Sequence, residues 1–372
     1  PKLILRSPVD VAASVPYLLG FVPDDSVVFV FFDAEYRHVL TARIDWPQQD
    51  ASFDVRAALL RDTCRNAVDN GARQGQIVLY PPAPIAAQDM VDVAAVVQDS
   101  LHGVGIGSRS VGSVVDGYWR DLADPPGEHA DLDDQGVAAA CQWVAKGVSY
   151  LPDRASMVEC IDGLPTWISK RLAKELEGGE ADCLLPQLSA ATSRRTIEDE
   201  IFDHLFPVAT SLSLDSPPLP IELPDDQAIL RWTQALADRR IREPLLWRFA
   251  QMYGAHEPEV DRALKEALAG LALVVRNTPD EVVAAIASCT AALAWQQGNG
   301  ALAQIAAERG LKSSSSNVLC DLVFKAVEQG VHPSIWVEML NSMTLQELRS
   351  GQARKGVEPV KKASKSVRDC PG

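Results

Sequence analysis

Residues 15–32 read VPYLLGFVPDDSVVFVFF, and the last six form an unbroken run of β-branched and aromatic side chains. A short apolar run without alternation is the pattern of a strand covered on both faces, so a layer has to pack on each side of it. The stretch does not cross a bilayer, because a spanning helix needs ~20 apolar residues without strong breakers. Pro16, Pro23, Asp24 and Asp25 interrupt it. The first residues lack the charged segment, apolar core and cleavage site of a secretory signal, and Pro1 suits removal of an initiator Met. A cytoplasmic location is the expectation.

Around this strand the chain predicts an α/β order. LRSPVDVAASVPYLLGF reads as a short helix with Ser7 as N-cap and Pro8 as first residue, where a missing amide donor costs nothing. Strands at about 27–33 and 38–44 flank a segment of hairpin length. A helix over about 53–70 stops at Asn70-Gly71, a strand ends at Tyr80, and a helix over about 86–102 leads to a strand near 108–115. The fold class expected is a mixed sheet with an antiparallel hairpin start and a right-handed crossover. Residues 121–134 carry Asp121, Asp124, Glu128, Asp131, Asp133 and Asp134 around Pro125-Pro126-Gly127 and read as an exposed acidic loop. Helices follow at about 135–146 and from about 154.

The predicted division is an α/β domain over 1–165, a helical extension over 166–212, a Pro-rich linker over 213–224, an all-helical domain over 225–350 and a disordered basic tail over 351–372. Asp225-Asp226 caps the first helix of the all-α domain, and Thr278-Pro279-Asp280-Glu281 has the cap, proline and acidic first turn of another. Behind Trp295, a glycine turn and the small residues Ala303 and Ala307 resemble a tetratricopeptide-type hairpin. No second copy recurs at a constant period, so a non-repeating helical bundle stays open.

At 372 residues two domains are the default, and the formal charge of −15 is unevenly spread. Residues 1–165 hold 12 Lys/Arg against 23 Asp/Glu, 166–350 hold 17 against 25, and 351–372 hold 6 against 2. An acidic body repels phosphate backbones, which confines any nucleic-acid association to weak contacts through the basic tail. The seven cysteines are odd in number and scattered, without CxxC or zinc-ligand spacing. They read as reduced thiols, and no metal or cofactor is expected.

Leu5-Arg6-Ser7-Pro8, the Val15–Phe21 core VPYLLGF and the Pro23-Asp24-Asp25-Ser26 turn stand together in a pattern that resembles an actinobacterial family of unknown function, DUF4192. Arg43-Ile44-Asp45, Val78-Leu79-Tyr80, Trp119, Leu151-Pro152-Asp153-Arg154 and GNGALAQIAAERGL extend the likeness over most of residues 3–345. The resemblance implies a shared fold and an actinobacterial, cytoplasmic source, and brings no activity with it. Many relatives place cysteines shortly after the tryptophan; residues 120–125 here have none.

The candidate site residues are Arg6, Tyr17, Asp25, Ser26, Arg43 and Tyr80. Asp24-Asp25-Ser26 reads either as a carboxylate pair beside a hydroxyl or as a turn whose side chains bond nearby amides. Arg43 and Asp45 share a strand face; they either pair at the hairpin end or, with Arg6 and Tyr80, clamp an anion. Gly103, Gly105 and Gly107 precede a strand where phosphate loops follow one, so they read as a turn. The six histidines lie far apart, and Trp232, Trp247, Trp295 and Trp336 read as core. The expected role is a non-catalytic adaptor or regulatory protein whose helical half, residues 225–348, binds another protein. The alternative is an enzyme or small-anion sensor with its pocket on the α/β domain.

Overall fold

A computed structural model describes residues 5–47, 53–85, 87–122, 129–146, 148–163, 165–177, 190–206, 223–253 and 258–351. The apolar run becomes β1 (Ser26–Phe32), every residue of it buried. It pairs antiparallel on one side with β2 (His38–Asp45) and on the other with β3 (Gln74–Tyr80). β3 pairs in parallel with β4 (Gly107–Val115), and β5 (Tyr118–Asp121) and β6 (His129–Asp131) continue antiparallel. The sheet order among the described residues is β2-β1-β3-β4-β5-β6. Two links are crossovers: β2 to β3 through α2 (Phe53–Asp69), which steps over β1, and β3 to β4 through α3 (Ala87–His102).

Alternation along β1 divides its side chains between two apolar layers. Val27, Phe29 and Phe31 pack with Ile77, Leu79, α2 (Phe53–Asp69) and α3. Val28, Val30 and Phe32 face the other way, onto α1 (Pro8–Leu19). The α1 start matches its sequence signature: Ser7 Oγ accepts from the Asp10 amide while the Asp10 carboxylate accepts from the Ser7 and Arg6 amides. Gly20, at φ +83°, ends the helix.

The acidic stretch corrects the loop expectation. Residues 123–128 lie outside the described set, but on either side of them the chain pairs as β5 and β6 and then forms α4 (Leu132–Gln135) and α5 (Val137–Ala145). Trp119 of β5, which faces Val114 on β4, is buried and lays its ring over Gly112. A Cβ at Gly112 would overlap the Trp119 ring and the Arg120 carbonyl, so the indole settles there because that strand position has no side chain.

The remaining helices are α6 (Arg154–Asp162), α7 (Trp167–Glu177), α8 (Ala191–Leu205), α9 (Asp226–Ala237), α10 (Arg239–Tyr253), α11 (Pro258–Asn277), α12 (Ala284–Gln296), α13 (Gly300–Ser313), α14 (Val318–Glu328), α15 (Ser334–Asn341) and α16 (Leu345–Ser350). Asp225 caps α9 as expected. Thr278 does not cap α12, which begins six residues later; its hydroxyl donates back to Val274 O instead and closes α11. α12 is buried from Ala285 to Gln296, and Ala303 and Ala307 of α13 let the two helices approach closely. A tetratricopeptide identity is not established by this one hairpin. The Pro-rich linker falls outside the described residues up to 222, as does the tail beyond Gly351.

The apolar core on the α1 side of the sheet continues without a break from Val28 through Ile161 of α6 to Ile286, Ile305 and Val323 in the helical half. A polar clamp crosses the same junction. Asp162 at the end of α6 accepts from both Arg309 and Lys312 of α13, and Arg309 also reaches Thr278 O and Asp280.

Candidate functional site

Strand register assembles several of the expected site residues at one corner of the sheet. Ser26 faces Asp45 on β2 and Tyr80 on β3, so Asp45, Ser26 and Tyr80 form a row across three strands on the α1 face. Arg43 stands in the next row, opposite Val28. Its guanidinium reaches back to the first row, donating to Asp45 Oδ1 at 2.6 Å and to Asp24 O at 3.2 Å. Of the two readings of Arg43, the local pair with Asp45 is present.

Burial gives this corner its chemistry. Ser26 is fully enclosed and, among the described residues, neither its hydroxyl nor the buried Nε of Arg43 has a hydrogen-bond partner. Burial pushes the Tyr80 phenol far above its ordinary range, which keeps it protonated and a donor. Asp25 holds φ +37°, uncommon for a residue with a side chain, and its carbonyl accepts from Trp46 N. Ser26, Arg43 and Tyr80 thus stand on one face of three neighbouring strands, with the exposed Asp24, Asp25 and Asp45 at its acidic edge.

Arg6 does not join them. Its carbonyl accepts from Arg109, whose guanidinium lies 5.8 Å from the Phe32 ring centre and 5.7 Å from that of Tyr36. Phe32 faces Gln74, the far end of β3 from Tyr80. Arg109 was not legible as special, because its position comes from a register skip in which Gly75 faces Ser108 and Gln76 faces Ser110. Tyr17 lies apart as well, stacked on Trp143 of α5 at 6.0 Å and edge-on to Tyr150 at 4.8 Å. Burial, with Tyr150 and Cys141 adding to it, raises the Tyr17 phenol above its usual value.

Other surfaces break the usual partition of apolar residues. On α14, Val318 and Leu322, one turn apart, are 70 % and 56 % exposed, and Ile335 and Met339 repeat the spacing on α15. On α5, Val137 and Val144 stand in solvent. Among the described residues no group of His, Cys, Asp and Glu is placed to hold a metal ion, and no described helix is long and apolar enough to cross a membrane.

These features define a mixed α/β sheet continued, through one core, into a helical array with exposed apolar faces. The chain belongs to the DUF4192 family, described as a domain of unknown function, which it matches over residues 8–334. No curated protein and no solved structure matches it.

Proposed function

We propose that the protein is a non-catalytic adaptor whose helical half holds a segment of another protein. The observation that carries this reading is the pair of exposed one-turn apolar repeats, Val318/Leu322 on α14 and Ile335/Met339 on α15. A surface helix ordinarily turns such a stripe inward, and helical scaffolds offer theirs to an amphipathic segment. Exposed Glu328 and Glu338 stand on the same two helices, while Asp321 is paired with Lys325, so the fitting partner carries Lys or Arg beside its apolar anchors. Affinity capture with the full chain tests this. Leu322→Glu and Val318→Glu should lose the partner while the thermal midpoint holds; capture unchanged by both removes the reading.

The unpartnered Ser26 hydroxyl and Arg43 Nε favour a second reading, a sensor of a small polar molecule at the sheet corner. With three carboxylates around one guanidinium, a neutral or zwitterionic ligand suits the corner better than the small anion expected from sequence. The histidine of these strands, His38, pairs with Phe32 at the other end of β1, away from Ser26, which favours binding over nucleophilic chemistry at the corner. A metabolite panel should raise the melting temperature by mass action, and Arg43→Ala should abolish the shift.

A further inference from the structure

Residues 334–351 are fastened to the helical half by polar anchors more than by burial. Of α15 and α16 only Leu340 and Leu348 are core, with Trp336 and Val337 half-buried beside them. Both helices lie along α10, and the contacts that fix them there are directional. The Arg349 guanidinium forks onto the Glu198 carboxylate of α8, Nε to Oε2 at 2.9 Å and Nη2 to Oε1 at 2.8 Å. Trp247 Nε1 of α10 donates to Met343 O at 3.1 Å, and the Gln251 side-chain amide donates to Asn341.

Glu198 sets the character of this seat. Its side chain is 1 % exposed, and the other nearby guanidinium, that of Arg248, bonds Asp199 at 2.8 Å and approaches Glu198 only to 3.5 Å. A buried ion pair adds little net stability, because desolvating both charges offsets their attraction, whereas a wrong neighbour leaves the carboxylate buried and uncompensated. Glu198 therefore selects what packs beside it more than it strengthens the fold. The fork calls for arginine, whose planar guanidinium meets a carboxylate at two points where a lysine ammonium meets it at one. The family match contains α8 and α10 and stops at residue 334, the first of α15. The seat thus belongs to the matched part of the chain, and the segment that fills it does not.

We propose that residues 334–351 are an autoinhibitory arm, occupying in cis a groove on α8 and α10 that takes a helical segment of another protein. The segment that fits has the chemistry the arm displays: a short helix with a leucine directly before an arginine, the leucine packed into the core as Leu348 is and the arginine forked on Glu198. A seated arm competes at the high effective concentration of a tethered ligand, so the partner enters only when the arm yields. This groove goes beyond the adaptor reading and stands without it. The Val318/Leu322 repeat on α14 stays in place when the arm leaves, whereas the repeat on α15 moves with it.

Hydrogen exchange on the unmodified full chain is the first test. Amides of α15 and α16 should exchange through opening of the arm alone, roughly a hundredfold or more faster than those of α12 and α13. Exchange of all four helices at one rate would overturn the proposal. A labelled peptide of residues 334–351 then probes the groove. It should bind the full-length Arg349→Glu chain, whose own arm Glu198 repels, at least about tenfold tighter than wild type, and an Arg349→Lys peptide should bind roughly tenfold more weakly. Leu348→Ala in the full chain releases the arm without a charge reversal and should open the groove in the same way. Equal binding of the peptide to wild type and to both released chains, or binding to none, would overturn the proposal. Glu198→Gln in the released chain should abolish peptide binding, while Leu322→Glu on α14 should leave it unchanged, so this groove and the adaptor face fail separately. A wild-type dimer held by traded arms would put a second copy in place of the foreign segment, and would overturn the proposal too.

Discussion

Single side chains decide how the sheet and helices lock. At Gly112 the missing Cβ admits the Trp119 ring, so Gly112→Ala should cost about 1–3 kcal/mol through overpacking, read as a lower urea midpoint at unchanged slope. At the junction, burial alone would raise the Asp162 carboxyl, but the hydrogen bonds and charges of Lys312 and Arg309 outweigh it and hold the group below its ordinary value. A carboxylate depressed in the folded state contributes stability that is present above its unfolded pKa of about 4 and is lost as pH falls through the lower folded value. Stability should therefore drop in acid in wild type, and this part of the pH profile should flatten in Asp162→Asn. Arg309 is nearly enclosed and Lys312 exposed. Arg309→Ala should then cost about 3 kcal/mol, and Lys312→Ala under about 1 kcal/mol.

For whole elements, the two faces of β1 make separate demands. Val28 faces α1 and Phe29 faces α2 and α3, both without exposure. Val28→Asp and Phe29→Asp should each prevent cooperative folding, since an unpaired charge in an apolar layer costs several kcal/mol. A wild-type thermal midpoint in either variant would contradict the two-sided burial of the strand. α14 behaves differently: its inner residues Leu319, Cys320 and Val323 are core, while its outer stripe is not. A charge at Leu322 should leave the unfolding free energy within about 0.5 kcal/mol of wild type. The same helix thus separates stability from binding, residue by residue.

Across the whole molecule, one continuous apolar cluster joins the α1 face of the sheet to α12, α13 and α14, and the Asp162 clamp spans the same boundary. Two independent domains would melt in two steps, whereas a shared core couples them. Calorimetry on the full chain should show a single transition. An isolated fragment of residues 222–350 would uncover the apolar surfaces of α10, α11 and α13 that α6 and α8 cover here, and should melt well below the full chain. A fragment as stable as the whole would show that the shared core carries no coupling.

Much of this was local enough to read from residue order. The β1 run, the Ser7-Pro8 start of α1, the 53–70 and 86–102 helices, the Asp225 cap and the Ala303/Ala307 approach all follow from periodicity, capping and side-chain size, which act within a few residues. Thr278 shows the limit: its cap signature was sound, yet the buried hydroxyl found a carbonyl on the preceding helix and the next helix began later. β5 and β6 were hidden because a polar, acidic sequence forms strand when an already folded edge supplies the pairing. The corner itself divides the same way. Asp25, Ser26, Arg43 and Tyr80 could be nominated by residue type, but their meeting depends on strand register, which brings Tyr80 to Ser26 across 54 positions of sequence, and Arg6 and Tyr17 stand elsewhere. Local patterning determined the elements; long-range pairing and a shared core decided which side chains stand together, because contacts between distant segments leave no periodic trace in the chain.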